Sequence, residues 1–148
     1  MRIIKKNYKT MDQKIKTLKI IHLAITFGIV AIYFTLGDIT ALKSFKVPAL
    51  DASSVVFLAL PLIAVFASNF VFKNTLKQAK DIKELEDKFG VYQTASIIRW
   101  AILEGAAFII LFLKPDFMLF GLLIILYMVF LSPTLDKIKN DFESVRIK

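Results

Sequence analysis

Four polar side chains fall inside the most apolar runs of the sequence, and they are the residues best placed to do chemistry. Glu104 lies near the middle of SIIRWAILEGAAFIILFL, residues 96–113. His22, Asn69 and Tyr127 lie in three other apolar runs. A carboxyl group beside an imidazole at bilayer depth is the material of a proton or ion site. An ionised carboxylate there costs on the order of 2.5–3.5 kcal/mol, so it must be protonated, paired or wet. Glu104 is five residues inside Arg99, His22 three inside Lys19, Asn69 four inside Lys73, and Tyr127 six before Pro133. At about 1.5 Å per residue these are offsets of roughly 5–9 Å, which is one common depth. The spacing predicts a polar layer in which Glu104 hydrogen-bonds Asn69, His22 or both. The alternative reading of the same carboxyl is structural, a hydrogen-bonded group that fixes helix register.

The elements that must carry this layer are membrane helices. Of the 148 residues, 57% are hydrophobic, against roughly 45–50% apolar in soluble domains. The apolar residues are gathered into blocks of spanning length at about 20–36, 55–72, 96–113 and 117–131. The segments between them, 1–19, 73–95 and 132–148, are polar and basic. The expected fold is one domain over 1–148, an all-α membrane protein with four transmembrane helices and amphipathic cytoplasmic extensions. In residues 1–18, Ile4, Tyr8, Met11, Ile15 and Leu18 recur at helical spacing. Leu135, Ile138, Phe142 and Val145 do so near the other end. Leu76, Ile82, Leu85 and Phe89 predict that the second span continues as one long helix, closed by Gly90 as a C-cap. Gly37 ends the first helix, Asp51, Ser53 and Ser54 offer caps for the second, and Pro61 predicts a kink within it. The run at 20–36 is longer than a signal-peptide core of ~7–15 residues and reads as an uncleaved anchor.

The basic residues set an orientation. Segments 1–19, 73–99 and 132–148 hold seven, six and four Lys and Arg, whereas the two remaining loops hold two and one. The positive-inside rule puts both termini and the central loop in the cytoplasm, as in a bacterial inner-membrane protein. Arg99 and Trp100 then fall at the headgroup boundary as interface anchors. Ala101 and Gly105 form a small-xxx-small pair for close helix packing, and Gly28 is placed to act similarly.

The two halves resemble each other. IIHLAITFGIVAI at 20–32 aligns without gaps with IIRWAILEGAAFI at 97–109, and TLKQAK at 75–80 faces TLDKIK at 134–139. This pattern reads as two in-out-in hairpins in a parallel repeat, with Phe27 in the place of Glu104.

YQTASIIRWAILEGAAFIILFL, residues 92–113, carries a small-residue, Ile-rich start followed by A-x-x-E-G-x-A. It resembles the carboxylate-bearing helix of the proton-translocating ATP synthase c subunits. That resemblance implies a proton or sodium site at Glu104. Outside that stretch the chain is similar to small four-span membrane proteins with no assigned activity.

Several classes are excluded. The chain has no Cys and a single His, so thiolate and multi-histidine metal centres are ruled out within one chain, and no cofactor is expected. No nucleotide-binding, hydrolase or metalloprotease motif is present, and a non-enzymatic protein is expected. The net charge of +8 flanks apolar runs rather than a recognition module, so nucleic acid is not an expected partner. The expected partners are the bilayer and either a second copy or another membrane subunit. The two functional readings are a structural or accessory subunit and a translocation subunit using Glu104.

Overall fold

The structure, a computed structural model, describes the backbone over residues 2–37 and 54–146 and the side chains over 11–37 and 54–145. The expected caps Asp51 and Ser53 and the side chains of Ile4 and Tyr8 lie outside the described residues.

Among the described residues there are five α-helices and no strand. They are α1 (Arg2–Leu36), α2 (Ser54–Lys77), α3 (Leu85–Leu113), α4 (Met118–Phe130) and α5 (Leu135–Arg146), with a 3-10 turn at Pro115–Phe117 before α4. Three stretches are long and apolar enough to cross a membrane: Met11–Leu36, Ser54–Lys77 and Leu85–Leu113. Pro115–Phe130 together with Leu135–Val145 forms a fourth candidate, bent by 98° at its break. The 13 residues of α4 reach roughly 20 Å, short of a ~30 Å hydrocarbon core without the turn that precedes them.

Helix α3 is the centre of the bundle. Its buried residues, among them Tyr92, Ser96, Trp100, Leu103, Ala107 and Ile110, recur every three or four positions, the spacing of one helix face. They meet α1, α2 and α4. The contacts fall at two levels. At one level His22, Asn69, Arg99, Trp100 and Tyr127 gather. At the other, Tyr33 meets Ala107 and Gly121, and Phe57 meets Phe117. The outward faces are apolar on every spanning helix: Phe27, Phe34, Leu62, Phe66, Phe112 and Phe130 are each 60% exposed or more. Water does not tolerate an apolar belt of that extent, whereas a bilayer requires one.

The long second helix is not formed. α2 stops at Lys77, and i→i+3 turns follow, from Gln78 N to Thr75 O at 3.1 Å and from Ala79 N to Leu76 O at 3.0 Å. Leu76 is buried at the end of α2, whereas Ile82 lies in the connection that follows, and the next helix begins only at Leu85. Gly90 is therefore inside α3 rather than a cap, and the projecting helix is the first part of α3. Pro61 sits within α2 without ending it. Gly37 does close α1: its N–H donates to Tyr33 O at 3.0 Å. A Cβ there would stand 2.7 Å from Met118 Sδ.

The amphipathic extensions, which continue α1 and α3 and follow α4, pack with their apolar faces buried. Met11, Ile15 and Leu18 are buried, as are Phe89, Tyr92 and Ile138. Lys14 on α1 meets Glu86 on α3 at 3.1 Å. The proposed duplication fares unevenly at this level. Thr75 lies inside α2 and bonds back to Val71 O, whereas Thr134 precedes α5 and its Oγ1 accepts from Lys137 N at 3.3 Å. The matched segments thus end one helix and begin another.

Candidate functional site

A polar clasp joins three helices. Arg99 of α3 donates from its guanidinium to Asn69 Oδ1 of α2 at 2.5 Å and to Tyr127 Oη of α4 at 3.0 Å. Asn69 Nδ2 donates to Tyr127 Oη at 2.8 Å and to Val65 O at 2.7 Å. The guanidinium also lies over the Phe72 ring, 4.7 Å from its centroid, and 6.0 Å from that of Tyr127. A planar, weakly hydrated cation suits this mixture of hydrogen bonds and ring faces. No carboxylate pairs with Arg99 among the described residues, and its buried Nε has no partner. Asn69 and Tyr127, two members of the expected polar layer, are brought together, and they are joined by Arg99. It turns inward because α2 and α4 offer it an amide oxygen and a phenol.

Trp100 is also buried, 1% exposed. Its ring stands 4.7 Å from that of His22, tilted by 58°. His22 is buried, and its Nε2 meets Met128 O at 2.9 Å. As the Met128 carbonyl can only accept, His22 carries its proton on Nε2 in this contact. His22 therefore joins α1 to α3 and α4, one residue along α4 from the Arg99 clasp.

Glu104 does not enter the layer. It is half-buried and has no hydrogen bond with Asn69, His22 or any other described residue. The cause is angular. Arg99 and Glu104 are five residues apart, about 140° around a helix at 100° per residue, so only one of them can face α2 and α4. Glu104 lies one turn beyond Trp100, just as Thr26 lies one turn beyond His22. Thr26 Oγ1 is buried and likewise has no partner.

The predicted close-packing residues are not at close contacts. Ala101 is exposed, and a Cβ on Gly105 or Gly28 would meet nothing within 4 Å. The small residues of α3 that face its neighbours are Ala95, Ala106 and Ala107, about 100° or more around the helix from the Ala101 side. Close approach occurs instead at Gly121 of α4. A Cβ there would collide with Tyr33 Oη. Tyr33 crosses over that glycine and donates to Ala107 O of α3 at 2.5 Å. This three-helix contact is a second clasp at the opposite level from Arg99. A lone Tyr in an apolar run was its only signal in the sequence, and nothing marked Gly121.

On the polar side, Tyr92 donates to Asp141 Oδ2 of α5 at 3.2 Å. Tyr92 also packs edge-on against Phe72 at 5.6 Å and against Phe142 at 6.0 Å. Burial pushes the Asp141 carboxyl above the usual carboxylate range, opposed by the Tyr92 hydrogen bond and by the charges of Arg99, Lys137 and Lys73. Lys137 of α5 donates to Phe130 O at 2.7 Å and Ser132 O at 3.1 Å, capping the carbonyl end of α4. No group of three or more His, Cys, Asp or Glu suited to a metal occurs among the described residues.

Comparison with family models, with curated proteins and with solved structures returns no match.

Proposed function

We propose that the chain is a non-catalytic structural or accessory subunit of a membrane, built as a self-contained bundle. The observation that carries this reading is the Arg99–Asn69–Tyr127 clasp. A conducting or catalytic layer keeps its polar groups open to an ion or substrate. Here the three groups bond one another, with the Arg99 Nε left over, and His22 meets a backbone carbonyl. The two contact levels support alternating helix directions, α1 and α3 one way and α2 and α4 the other. With basic segments at the level of Arg99, this is the in-out-in arrangement with cytoplasmic termini. The parallel repeat is carried by the 20–32 and 97–109 match, since both segments lie in helices running the same way under this topology.

A second reading rests on one observation. Glu104 is a half-buried carboxyl with no hydrogen-bond partner among the described residues, the condition of a group that exchanges a proton or awaits a partner from another chain. This is the reading that the likeness to ATP synthase c subunits supports. Reconstitution into liposomes separates the two. The structural reading predicts no proton flux above empty liposomes from the wild type, and the same for Glu104→Gln. Flux in the wild type that Glu104→Gln abolishes would establish translocation instead.

A further inference from the structure

Between α1 and α4 runs an open groove of about 370 Å³. Leu23, Phe27 and Val30 of α1 and Val129 of α4 form its apolar walls, and His22, Thr26 and Ser132 add polar groups to its lining, Ser132 from beyond the end of α4. All four wall residues are exposed, Phe27 by 71%, so the groove opens on the lipid-facing side. The end at Ser132 is not apolar. The Lys137 ammonium sits there, 3.1 Å from Ser132 O and 2.7 Å from Phe130 O. An ammonium has three donors, and these carbonyls take two. Lys19, also exposed, lies three residues before His22, which contacts Met128. That puts Lys19 about one turn beyond Met128, at the level of Ser132. An apolar slot open to the membrane thus ends between two exposed cations, where the helix break marks the bilayer surface.

We propose that this groove binds a phospholipid with an anionic headgroup, its acyl chain along Leu23, Phe27, Val30 and Val129 and its phosphate between Lys19 and Lys137. The inference rests on the membrane reading above and adds a ligand to it. Charge decides the occupant. A second copy or a partner helix needs apolar walls only, whereas a paired cationic mouth at the headgroup level matches a phosphate. A zwitterionic lipid brings its own cation to the same place and gains less.

The test is native mass spectrometry of the full chain, released from detergent micelles holding equal amounts of phosphatidylglycerol and phosphatidylcholine with identical acyl chains. The expected result is preferential retention of one phosphatidylglycerol per chain. Val129→Phe fills the slot and abolishes that retention, and Val30→Phe does so from the opposite wall. Lys19→Gln reduces it by about fivefold, the worth of one cation at a lipid surface. Lys137 is left alone because it caps α4. Equal retention of the two lipids would overturn the proposal, as would undiminished retention in both filled variants. A dimer that Val129→Phe dissociates, with no lipid preference, would assign the groove to a second copy and overturn it as well. A chain that does not enter micelles or bilayers at all fails the membrane reading, whereas an inserted chain without lipid preference fails only the groove.

Discussion

Arg99 carries a full charge inside the bundle, and its supports are a neutral amide, a phenol and two ring faces. Removing Asn69 leaves both the guanidinium and Tyr127 short of a partner. Asn69→Leu is expected to destabilise the bundle by about 1–2 kcal/mol, and the Asn69→Leu/Arg99→Leu pair by less than the sum of the single changes. Thermal unfolding in detergent, run as a double-mutant cycle, measures that coupling. The glycines make a sharper contrast. Gly121→Ala places a methyl group against Tyr33, which is buried and bonded to Ala107 O and so cannot swing away. A loss of about 1–3 kcal/mol is expected, partly relieved when Tyr33→Phe is added. Gly28→Ala and Gly105→Ala meet open space and gain helix propensity, so both are expected to be neutral or stabilising. Thr26→Val removes a buried hydroxyl that lacks a partner and is expected to raise the melting temperature. These residue-level details were the least legible in the sequence. Depth along a helix follows from counting residues, and Asn69 and Tyr127, placed at one depth that way, meet in the structure. Rotation about the axis depends on which neighbour lies where. That is why Arg99 rather than Glu104 faces inward, and why Gly121 rather than Gly105 is the point of close approach.

At the scale of elements, α5 is the most conditional part of the fold. It leaves α4 at a 98° bend and is held by Ile138 and Phe142, the Lys137 cap and the Tyr92–Asp141 bond. Asp141 gives that attachment a pH dependence whose sign is fixed. Its folded carboxyl holds a proton more tightly than the unfolded one. The folded state therefore gains stability as pH falls through the folded value, and the gain is complete below the unfolded value of about 3.9. As pH rises through the raised folded value that gain is lost. Hydrogen exchange along 135–145 is expected to slow on acidification, and Asp141→Asn should remove the part of that change that Asp141 carries. The α5 stripe was legible because its apolar residues keep strict helical spacing. The end of α2 was not legible, since Leu76, Ile82, Leu85 and Phe89 keep a spacing that one helix tolerates. A long helix was expected because the charges between them suit a helix surface at any phase.

For the whole molecule, the apolar belt and the basic segments were the clearest sequence signals, since both come from composition rather than from contacts. The belt appears on every spanning helix, and the bundle inside it is organised around α3. The fourth candidate crossing rests on the 13 residues of α4 and on the bend that follows it. The chain has no Cys, so single cysteines can be introduced without background labelling. Asp81, Asp116 and Asn140 are all exposed, in the α2–α3 turn, in the turn before α4 and on α5. The decisive measurement is labelling of Asp81→Cys, Asp116→Cys and Asn140→Cys by a membrane-impermeant thiol reagent, from each face of sealed vesicles. A four-span bundle predicts that positions 81 and 140 react from one face and position 116 only from the other. Reaction of positions 116 and 140 from the same face would make α4 a re-entrant element and contradict the four-span bundle.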